Sequence, residues 1–270
     1  MLRPFDLDKL RLEFSSAKPV RYIKIDNFID PEKARAIVTA YPSFDVAQGQ
    51  GRTFTSVNER KKVQITDYRK FNAPVQELNE ALASPRFLAD LAYITGIPNV
   101  LADEQLAGGG IHVTGPGGRL DVHVDFNYIE DRQLHRRLNL LLYLNEPWPD
   151  AWGGQFQLWD KDVKKCEVTF APIFNRCVIF ETNEISFHGV IPVSHEARDP
   201  RKSFATYYYT KEAPAHWNGV SHSTIFKARP EERMKGLVLM PIQAARGRVN
   251  GGIRRLKGGI KSLIGRDQGS

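Results

Sequence analysis

Residues 119–126 read Arg-Leu-Asp-Val-His-Val-Asp-Phe and alternate in the manner of a β-strand. His123 and Asp125 are two residues apart, so on a strand their side chains emerge from the same face. An imidazole and a carboxylate placed in this way can supply two ligands of a two-histidine, one-carboxylate metal site. That ligand set holds Fe(II) and leaves neighbouring coordination positions open for small ligands. The stretch therefore predicts a β-strand that carries part of a metal centre.

The third metal ligand must come from another strand, and the seven histidines of the chain differ in where they lie. His188 begins the apolar run 188–193 and is the best placed of them. His195 falls just beyond that run in a charged loop, and His112 lies on the strand before the metal pair. Polar, turn-like surroundings are shared by His135, His216 and His222. We therefore expect His123, Asp125 and His188 to form the metal site and to be the catalytic residues.

The sequence around this stretch predicts a mainly β fold with flanking helices. Between about 104 and 211, short apolar or alternating runs are separated by Gly, Pro, Asn and Asp, which is typical of a sandwich or jelly roll. The predicted strands are 105–113, 119–126, 137–145, 154–159, 166–171, 176–181, 188–193 and 201–210. Before them the sequence predicts a strand at 20–25, a helix that starts at Asp30-Pro31, a mobile loop at 45–65 and a helical stretch at 73–95 broken at Ser84-Pro85. The loop at 45–65 is the candidate for a substrate lid.

A cation for a carboxylate ligand is available thirteen residues after His188. Arg201 and Ser203 share one face of the last predicted strand, so a guanidinium and a hydroxyl can meet a single carboxylate. On the strand 137–145, Asn139, Tyr143 and Asn145 share a face and either line a cavity or simply fill the barrel. The leucines at 138, 140, 142 and 144 would then pack against an outer layer.

These segments together resemble the prolyl 4-hydroxylase-like branch of the 2-oxoglutarate/Fe(II) oxygenases. The resemblance covers about residues 20–211, and the matching pieces are 117–125, 137–145, 152–159, Phe187-His188-Gly189-Val190 and Arg201-Lys202-Ser203. It implies a double-stranded β-helix, a cupin-like jelly roll. It also implies that His123, Asp125 and His188 bind iron and that Arg201 with Ser203 binds the distal carboxylate of 2-oxoglutarate. Where many relatives carry a tyrosine before the metal pair this chain has His112, which either contacts 2-oxoglutarate or substrate or is a buried structural histidine.

The resemblance implies a hydroxylase that attacks an unactivated C–H bond. Its cofactors would be Fe(II), the co-substrate 2-oxoglutarate and O2, with ascorbate as an optional reductant, and succinate and CO2 would be co-products. Tyr143 is a further candidate for contact with the co-substrate. The substrate stays open between a prolyl peptide, a free amino acid and a sugar or lipid-linked glycan at a membrane surface. A non-catalytic metal-binding or sensor protein on the same fold is the alternative of a different class, which the complete ligand set and Arg201 disfavour.

Composition and charge limit the remaining choices. Cys166 and Cys177 give no disulfide framework, and no apolar run is long enough to span a membrane, so the sequence predicts a cytoplasmic protein. Ten basic and three acidic residues in 228–270 account for the whole net charge of +7. The body is neutral, so no nucleic-acid groove is expected. We therefore expect an oxygenase domain at 1–227, made of a lead-in at 1–103 and a jelly-roll core at 104–211, and a basic tail at 228–270. In that tail, residues 246–266 form either a disordered segment or an amphipathic helix that contacts anionic lipid at the inner membrane.

Overall fold

The computed structural model of the chain describes residues 1–232 and 239–240. Helices gather in the first hundred residues, and strands dominate from residue 101 onward. Within the described residues the α-helices are α1 (Leu7–Ser16), α2 (Pro31–Ala40), α3 (Phe44–Gln50), α4 (Ala73–Ala83) and α5 (Pro85–Thr95). Short 3-10 turns occupy Tyr68–Lys70, Asp150–Trp152 and Pro230–Glu232. The described strands are β1 (Tyr22–Asp26), β2 (Arg52–Thr55), β3 (Glu59–Ile65), β4 (Leu101–Ala102), β5 (Gly110–Val124), β6 (Tyr128–Ile129), β7 (Leu134–Tyr143), β8 (Phe156–Trp159), β9 (Cys166–Phe170), β10 (Arg176–Glu181), β11 (His188–Val190), β12 (Arg201–Thr210) and β13 (Ile225–Phe226).

Capping residues place the helix boundaries where the sequence predicts them. The Asp30 carboxylate accepts hydrogen bonds from the first-turn amides of α2, and Pro31 occupies a position that needs no amide hydrogen. The predicted break at Ser84-Pro85 is confirmed, because Ser84 ends α4 and its hydroxyl accepts from the amide of Phe87 to begin α5. Gly96 ends α5 with a φ of +69°, a conformation that glycine adopts without strain.

The strands form one antiparallel sheet that curls back on itself. Along its main path the order is β1-β10-β7-β12-β5-β11-β8-β9. The two ends of the path face each other, because Phe156 of β8 lies against Phe180 of β10 with ring centroids 5.2 Å apart. The architecture is the expected double-stranded β-helix with flanking helices.

A single long strand joins the two halves of this curled sheet. The sequence predicts separate strands at 105–113 and 119–126, and this prediction is wrong, because one strand, β5, runs without a break from Gly110 to Val124 and includes parts of both ranges. Its first part pairs with β12 from Gly110 to Thr114, and its last part pairs with β11 and β13. Gly117, at a φ of +75°, lies between these two parts, so the strand changes partners without ending.

The main core lies between the helices and the outer face of the larger half-sheet. The alternate leucines of β7 are fully buried there together with apolar residues of α2, α4 and α5, as the sequence predicts. They are Leu138, Leu140 and Leu142, with Leu144 just beyond the strand. Each such side chain contributes roughly 2 kcal/mol by leaving water. The opposite face of β7 is thereby directed into the curl of the sheet.

Residues 45–65 are not the mobile loop that the sequence predicts. They form most of α3 and the β2–β3 hairpin, which is joined to the body because β3 pairs with β5 over much of its length. Val63 and Ile65 are buried on one face of β3, and Ala47 is buried in α3. The apolar residues at 63 and 65 were the only alternation within a polar stretch, too short to identify a strand.

The predicted amphipathic segment at 246–266 lies outside the described residues, so its contact with a membrane stays a prediction. Within residues 1–232 and 239–240, no helix is long and apolar enough to cross a bilayer. Cys166 and Cys177 are free thiols, as expected.

Candidate metal centre

The structure brings His123, Asp125 and His188 together in the wall of a cavity inside the curl. His123 lies near the end of β5, Asp125 just beyond it, and His188 begins β11 directly opposite His123 in the strand register. Three donor atoms, one from each side chain, all lie within 4.8 Å of one another. Both histidines are buried. This cluster can surround one cation.

Backbone hydrogen bonds fix which nitrogen of each histidine faces the cluster. The Nδ1 atoms of His123 and His188 donate to the carbonyls of Asp121 and Ser186, at 2.8 and 2.9 Å. Each Nε2 therefore faces the carboxylate, 3.5 Å from Asp125 Oδ1 for His123 and 3.7 Å from Oδ2 for His188. Burial lowers the pKa of His188 to about 4, so this ring is neutral at pH 7. Two imidazole nitrogens and a carboxylate are a donor set that fits Fe(II).

A buried arginine that the sequence analysis did not single out holds the Asp125 carboxylate. Arg136 Nη1 lies 3.1 Å from Asp125 Oδ2. The guanidinium carbon is 3.6 Å from the ring centroids of both Phe126 and Tyr207. Burial alone would raise the pKa of Asp125, but the charge of Arg136 and the interactions with the two adjoining imidazoles hold it well below its usual range. The carboxylate is therefore ionised and its orientation is set before any metal binds.

A β-bulge explains why Arg136 was missed. Alternation from Asn139 would turn Arg137 inward, but in the β7–β12 register Tyr208 faces Leu138 and Tyr209 faces Arg136, so one residue of β7 is skipped. The bulge turns Arg136 into the cavity and leaves Arg137 half-buried. The Arg-Arg doublet was visible in the sequence, whereas the bulge that chooses between the two arginines was not.

The cavity that contains the metal cluster has a volume of about 840 Å³. Its lining is mixed, with apolar side chains beside amides, hydroxyls and charges, as in many small-molecule sites. Arg201 and Ser203 line it on β12, as predicted. Arg201 Nε donates to the carbonyl of Gly154 at 2.7 Å, and Nη1 donates to Ser203 Oγ at 3.3 Å.

Arg201 is buried, and among the described residues no carboxylate lies within 4.0 Å of its guanidinium. Burial lowers the pKa of Arg201, although an arginine stays charged at pH 7. A buried cation without a counter-ion is unfavourable until an anion joins it. The surroundings of Arg201 thus fit the carboxylate of a bound ligand.

The other predicted site residues are divided between the cavity and the packing around it. Asn139 lines the cavity, and its Nδ2 lies 3.3 Å from Asp125 Oδ2. Tyr143 is buried in the interior cluster with Phe156, and its ring centroid lies 5.0 Å from the guanidinium carbon of Arg201. Asn145 instead bonds backbone groups of Lys202 and Pro172, so its role is structural.

His112 lines the cavity and is also bonded to the protein. Its Nε2 lies 3.2 Å from the carbonyl oxygen of Gly108. Burial, with the nearby charges of Lys62 and Arg201, lowers the pKa of His112 well below its ordinary value, so the ring is neutral. A neutral ring that donates from Nε2 leaves Nδ1 as an acceptor. Both of the roles foreseen for His112 therefore have a physical basis here, and its contact with a ligand stays a prediction.

The segment after residue 224 closes one side of the metal cluster. Phe226 of β13 pairs with β5, and its ring centroid lies 5.3 Å from that of His123. Just beyond it, Arg229 is buried, donates to the carbonyl of Val190 at 2.9 Å and lies 3.8 Å from Asp121. These contacts tie the start of the predicted tail to the strands that carry the ligands. The predicted boundary at 227 stays a prediction.

Comparisons with known proteins agree with this combination of fold and site. Residues 109–209 match the model of the 2OG-Fe(II) oxygenase superfamily. A prolyl-4-hydroxylase from Pseudomonas putida superimposes with a TM-score of 0.54 at 15% identity, over 74% of this chain and 98% of that one. A prolyl hydroxylase from Trichoplax adhaerens, solved with a peptide fragment of the hypoxia inducible factor oxygen degradation domain, gives 0.53 at 16% identity, over 77% and 94%. A prolyl 4-hydroxylase from Phytophthora capsici gives 0.52 at 19% identity, over 78% and 68%.

The fold and the site define a non-haem metal oxygenase. The match over residues 109–209 agrees with the resemblance found in the sequence, and the cluster and Arg201 fit the cofactors of the 2OG-Fe(II) oxygenase superfamily, Fe(II) and 2-oxoglutarate. At 15 to 19% identity, the similarity to these solved structures supports the fold of this chain and does not identify its substrate.

Proposed function

We propose that this oxygenase hydroxylates a C–H bond of a substrate bound in the 840 Å³ cavity. In this proposal His123, Asp125 and His188 hold Fe(II), and Arg201 with Ser203 binds the distal carboxylate of 2-oxoglutarate. When bound, the metal and co-substrate supply the oxidation by O2, with succinate and CO2 as co-products. The observation that carries the proposal is that one cavity contains both a cluster of two histidines and a carboxylate and a buried arginine without a counter-ion.

The side chains around the cluster organise the reactants. The two Nδ1 hydrogen bonds orient the imidazoles, and Arg136 keeps one oxygen of Asp125 occupied. On β12, Arg201 would orient the co-substrate through a charge-assisted pair, with the Ser203 hydroxyl beside it. Phe156 and Phe226 line the cavity near the cluster and exclude water from it.

The proposed reaction class leaves three classes of substrate to be tested. Prolyl hydroxylases among the structural neighbours make proline-containing peptides the first candidates to test. Free amino acids and glycans are the other two classes foreseen from the sequence. Contact of the tail with an anionic membrane is a separate part of the proposal and would be tested with the full chain and anionic liposomes at low salt.

The decisive measurement is succinate formation from 2-oxoglutarate by the Fe(II)-loaded protein after air is admitted. We expect succinate that requires iron and oxygen and that disappears in Asp125→Ala. His216→Ala is the matched control, because this histidine is exposed and lies outside the cavity. The visible absorption band of the Fe(II)–2-oxoglutarate complex, recorded without air, provides a binding readout independent of turnover. Absence of both the band and succinate in the folded wild type would refute the proposal.

A further inference from the structure

The mouth of the cavity carries a concentration of positive charge. Residues 1–227 contain equal numbers of basic and acidic residues, whereas residues 50–70 contain six basic and only two acidic ones. This stretch, here called the rim segment, comprises the end of α3, the β2–β3 hairpin and the turn after it. The charge of an otherwise neutral body is therefore distributed unevenly, with an excess of cations at the rim.

Three cations of the rim segment line the cavity close to one another. The guanidinium carbon of Arg52 lies 4.5 Å from the ring centroid of Phe54, and Lys62 Nζ lies 5.3 Å from the same centroid. Lys70 Nζ donates at 2.6 Å to the carbonyl of Gln50, two residues before Arg52. All of these residues are part of the cavity wall.

Two of these cations have no carboxylate within ion-pair distance. Lys62 pairs with Glu59 at 2.9 Å, and Asp67 pairs with Arg69 at 2.9 Å, which uses both acids of the rim segment. Among residues 1–232 and 239–240, no carboxylate lies within 4.0 Å of Arg52 or Lys70. Elsewhere in the same cavity, Arg119 pairs with Asp121 and Glu232, and Arg136 pairs with Asp125. Apart from Arg201, the unpaired cations of the wall are thus those at the mouth.

We propose that Arg52 and Lys70, with Lys62 beside them, form a second anion subsite that binds an anionic group of the substrate. The term substrate rests on the proposed oxygenase function, whereas the subsite itself rests on the geometry. A guanidinium fork and an ammonium suit a carboxylate, sulfate or phosphate. The cavity has room for a substrate besides the small co-substrate at Arg201. Cations at the mouth also attract an anionic substrate towards the metal.

The subsite can be tested without metal or turnover by titrating the metal-free full-length protein with inorganic phosphate. Amide chemical shifts of the 15N-labelled chain report where the anion binds, and sodium chloride keeps the ionic strength constant. The test variant is Arg52→Gln/Lys70→Gln. The control is Arg86→Gln/Lys18→Gln, which removes the same charges from exposed positions away from the cavity. A third variant, Arg201→Gln, removes the proposed co-substrate site.

We expect saturable shifts in the rim segment, with binding about tenfold weaker in the Arg52/Lys70 variant and unchanged in the control. The rim shifts should persist in Arg201→Gln. Equal affinity in the wild type and the Arg52/Lys70 variant would overturn the subsite, as would shifts confined to the surroundings of Arg201. Repeating the titration with acetate and sulfate identifies the preferred anion.

Failure of this subsite is distinguishable from failure of the proposed function. Binding of 2-oxoglutarate depends on Arg201 and should survive in the Arg52/Lys70 variant. Absence of rim binding in the wild-type protein, together with an intact Fe(II)–2-oxoglutarate band, would reject the subsite alone. Rim binding of phosphate without that band would leave the anion subsite standing and reject the oxygenase proposal.

Discussion

Replacing Arg136 by Met tests how much the ion pair between Arg136 and Asp125 contributes to stability and to metal binding. Methionine can occupy the apolar slot between Phe126 and Tyr207, so the main loss is the ion pair with Asp125 at 3.1 Å. Removing one partner of a buried pair leaves the other charge uncompensated and costs about 3 to 5 kcal/mol. Because methionine retains the packing and Asn139 still contacts the carboxylate, we expect the metal-free variant to lose about 3 kcal/mol of stability.

A divalent cation should repair most of this loss. Bound metal supplies Asp125 with a new counter-charge, so the deficit at saturating Mn(II) should shrink to about 1 kcal/mol. The difference of about 2 kcal/mol requires Arg136→Met to bind Mn(II) roughly thirtyfold more tightly than the wild type, because stability and binding are linked. Loss of the Arg136 cation thus lowers the stability of the metal-free protein and raises its affinity for the metal.

Denaturant unfolding with and without Mn(II), together with electron paramagnetic resonance counting of free Mn(II), measures both quantities. Arg137→Met on the same strand is the matched control, because Arg137 is only half-buried and has no carboxylate within 4.0 Å among the described residues. Its metal affinity should stay unchanged. The reasoning would be refuted by a stability deficit that is the same with and without Mn(II), or by Mn(II) affinity that falls in Arg136→Met.

Three further results are expected. 2-Oxoglutarate should protect the metal-free wild type against thermal unfolding, whereas pyruvate, which lacks the distal carboxylate, should not. Arg201→Met should abolish this protection and keep the affinity for Mn(II) within about threefold of the wild type. Equal loss of the protection and of Mn(II) affinity would contradict the assignment of Arg201 to the distal carboxylate. The depressed pKa of His188 means that, as the pH falls from 6.5 towards about 4, the unfolded chain takes up a proton that the native state excludes. The free energy of metal-free unfolding should therefore fall with pH, by up to about 3 kcal/mol from this group, and a parallel decline in His188→Gln would disprove the attribution. Gly117→Ala should lower the free energy of unfolding in denaturant by about 1 to 3 kcal/mol, because the φ of Gly117 is +75° and a Cβ there would lie 2.3 Å from the His195 ring. Gly49→Ala, with open space around it in α3, should be neutral or stabilising. Equal effects of the two substitutions would contradict the steric argument.

The parts of the site that the sequence predicts are those governed by strand alternation. His123 and Asp125 needed only the two-residue period, and Arg201 with Ser203 needed the same period on another strand. His188 needed only its place at the head of an apolar run. In each case local geometry decides the direction of the side chain, and pairing of the strands then brings the residues to one cavity.

The parts that were missed depend on contacts between distant segments. The direction of Arg136 follows from a bulge, which has no signature in the sequence of β7 alone. The hairpin at 52–65 is held by pairing of β3 with β5, and its own residues are largely polar. The burial of Arg229 depends on Asp121 and on a backbone carbonyl of β11. Propensity and periodicity report only neighbours in sequence, so none of these features could be derived from them.

The buried arginines show how structural and functional charges can be told apart in such a site. Among the described residues, three arginines are buried: Arg136, Arg201 and Arg229. Arg136 and Arg229 have carboxylates close by, at 3.1 and 3.8 Å, so their charges are neutralised within the fold. Arg201 contacts a carbonyl, a hydroxyl and the ring of Tyr143, which orient a guanidinium but do not balance its charge. A cation that is buried without a counter-ion lowers the stability of the ligand-free protein. Such a local loss of stability is expected at a site where a bound ligand supplies the missing charge. The same criterion applied at the cavity mouth separates Arg52 and Lys70 from their paired neighbours, with a smaller penalty because both are exposed.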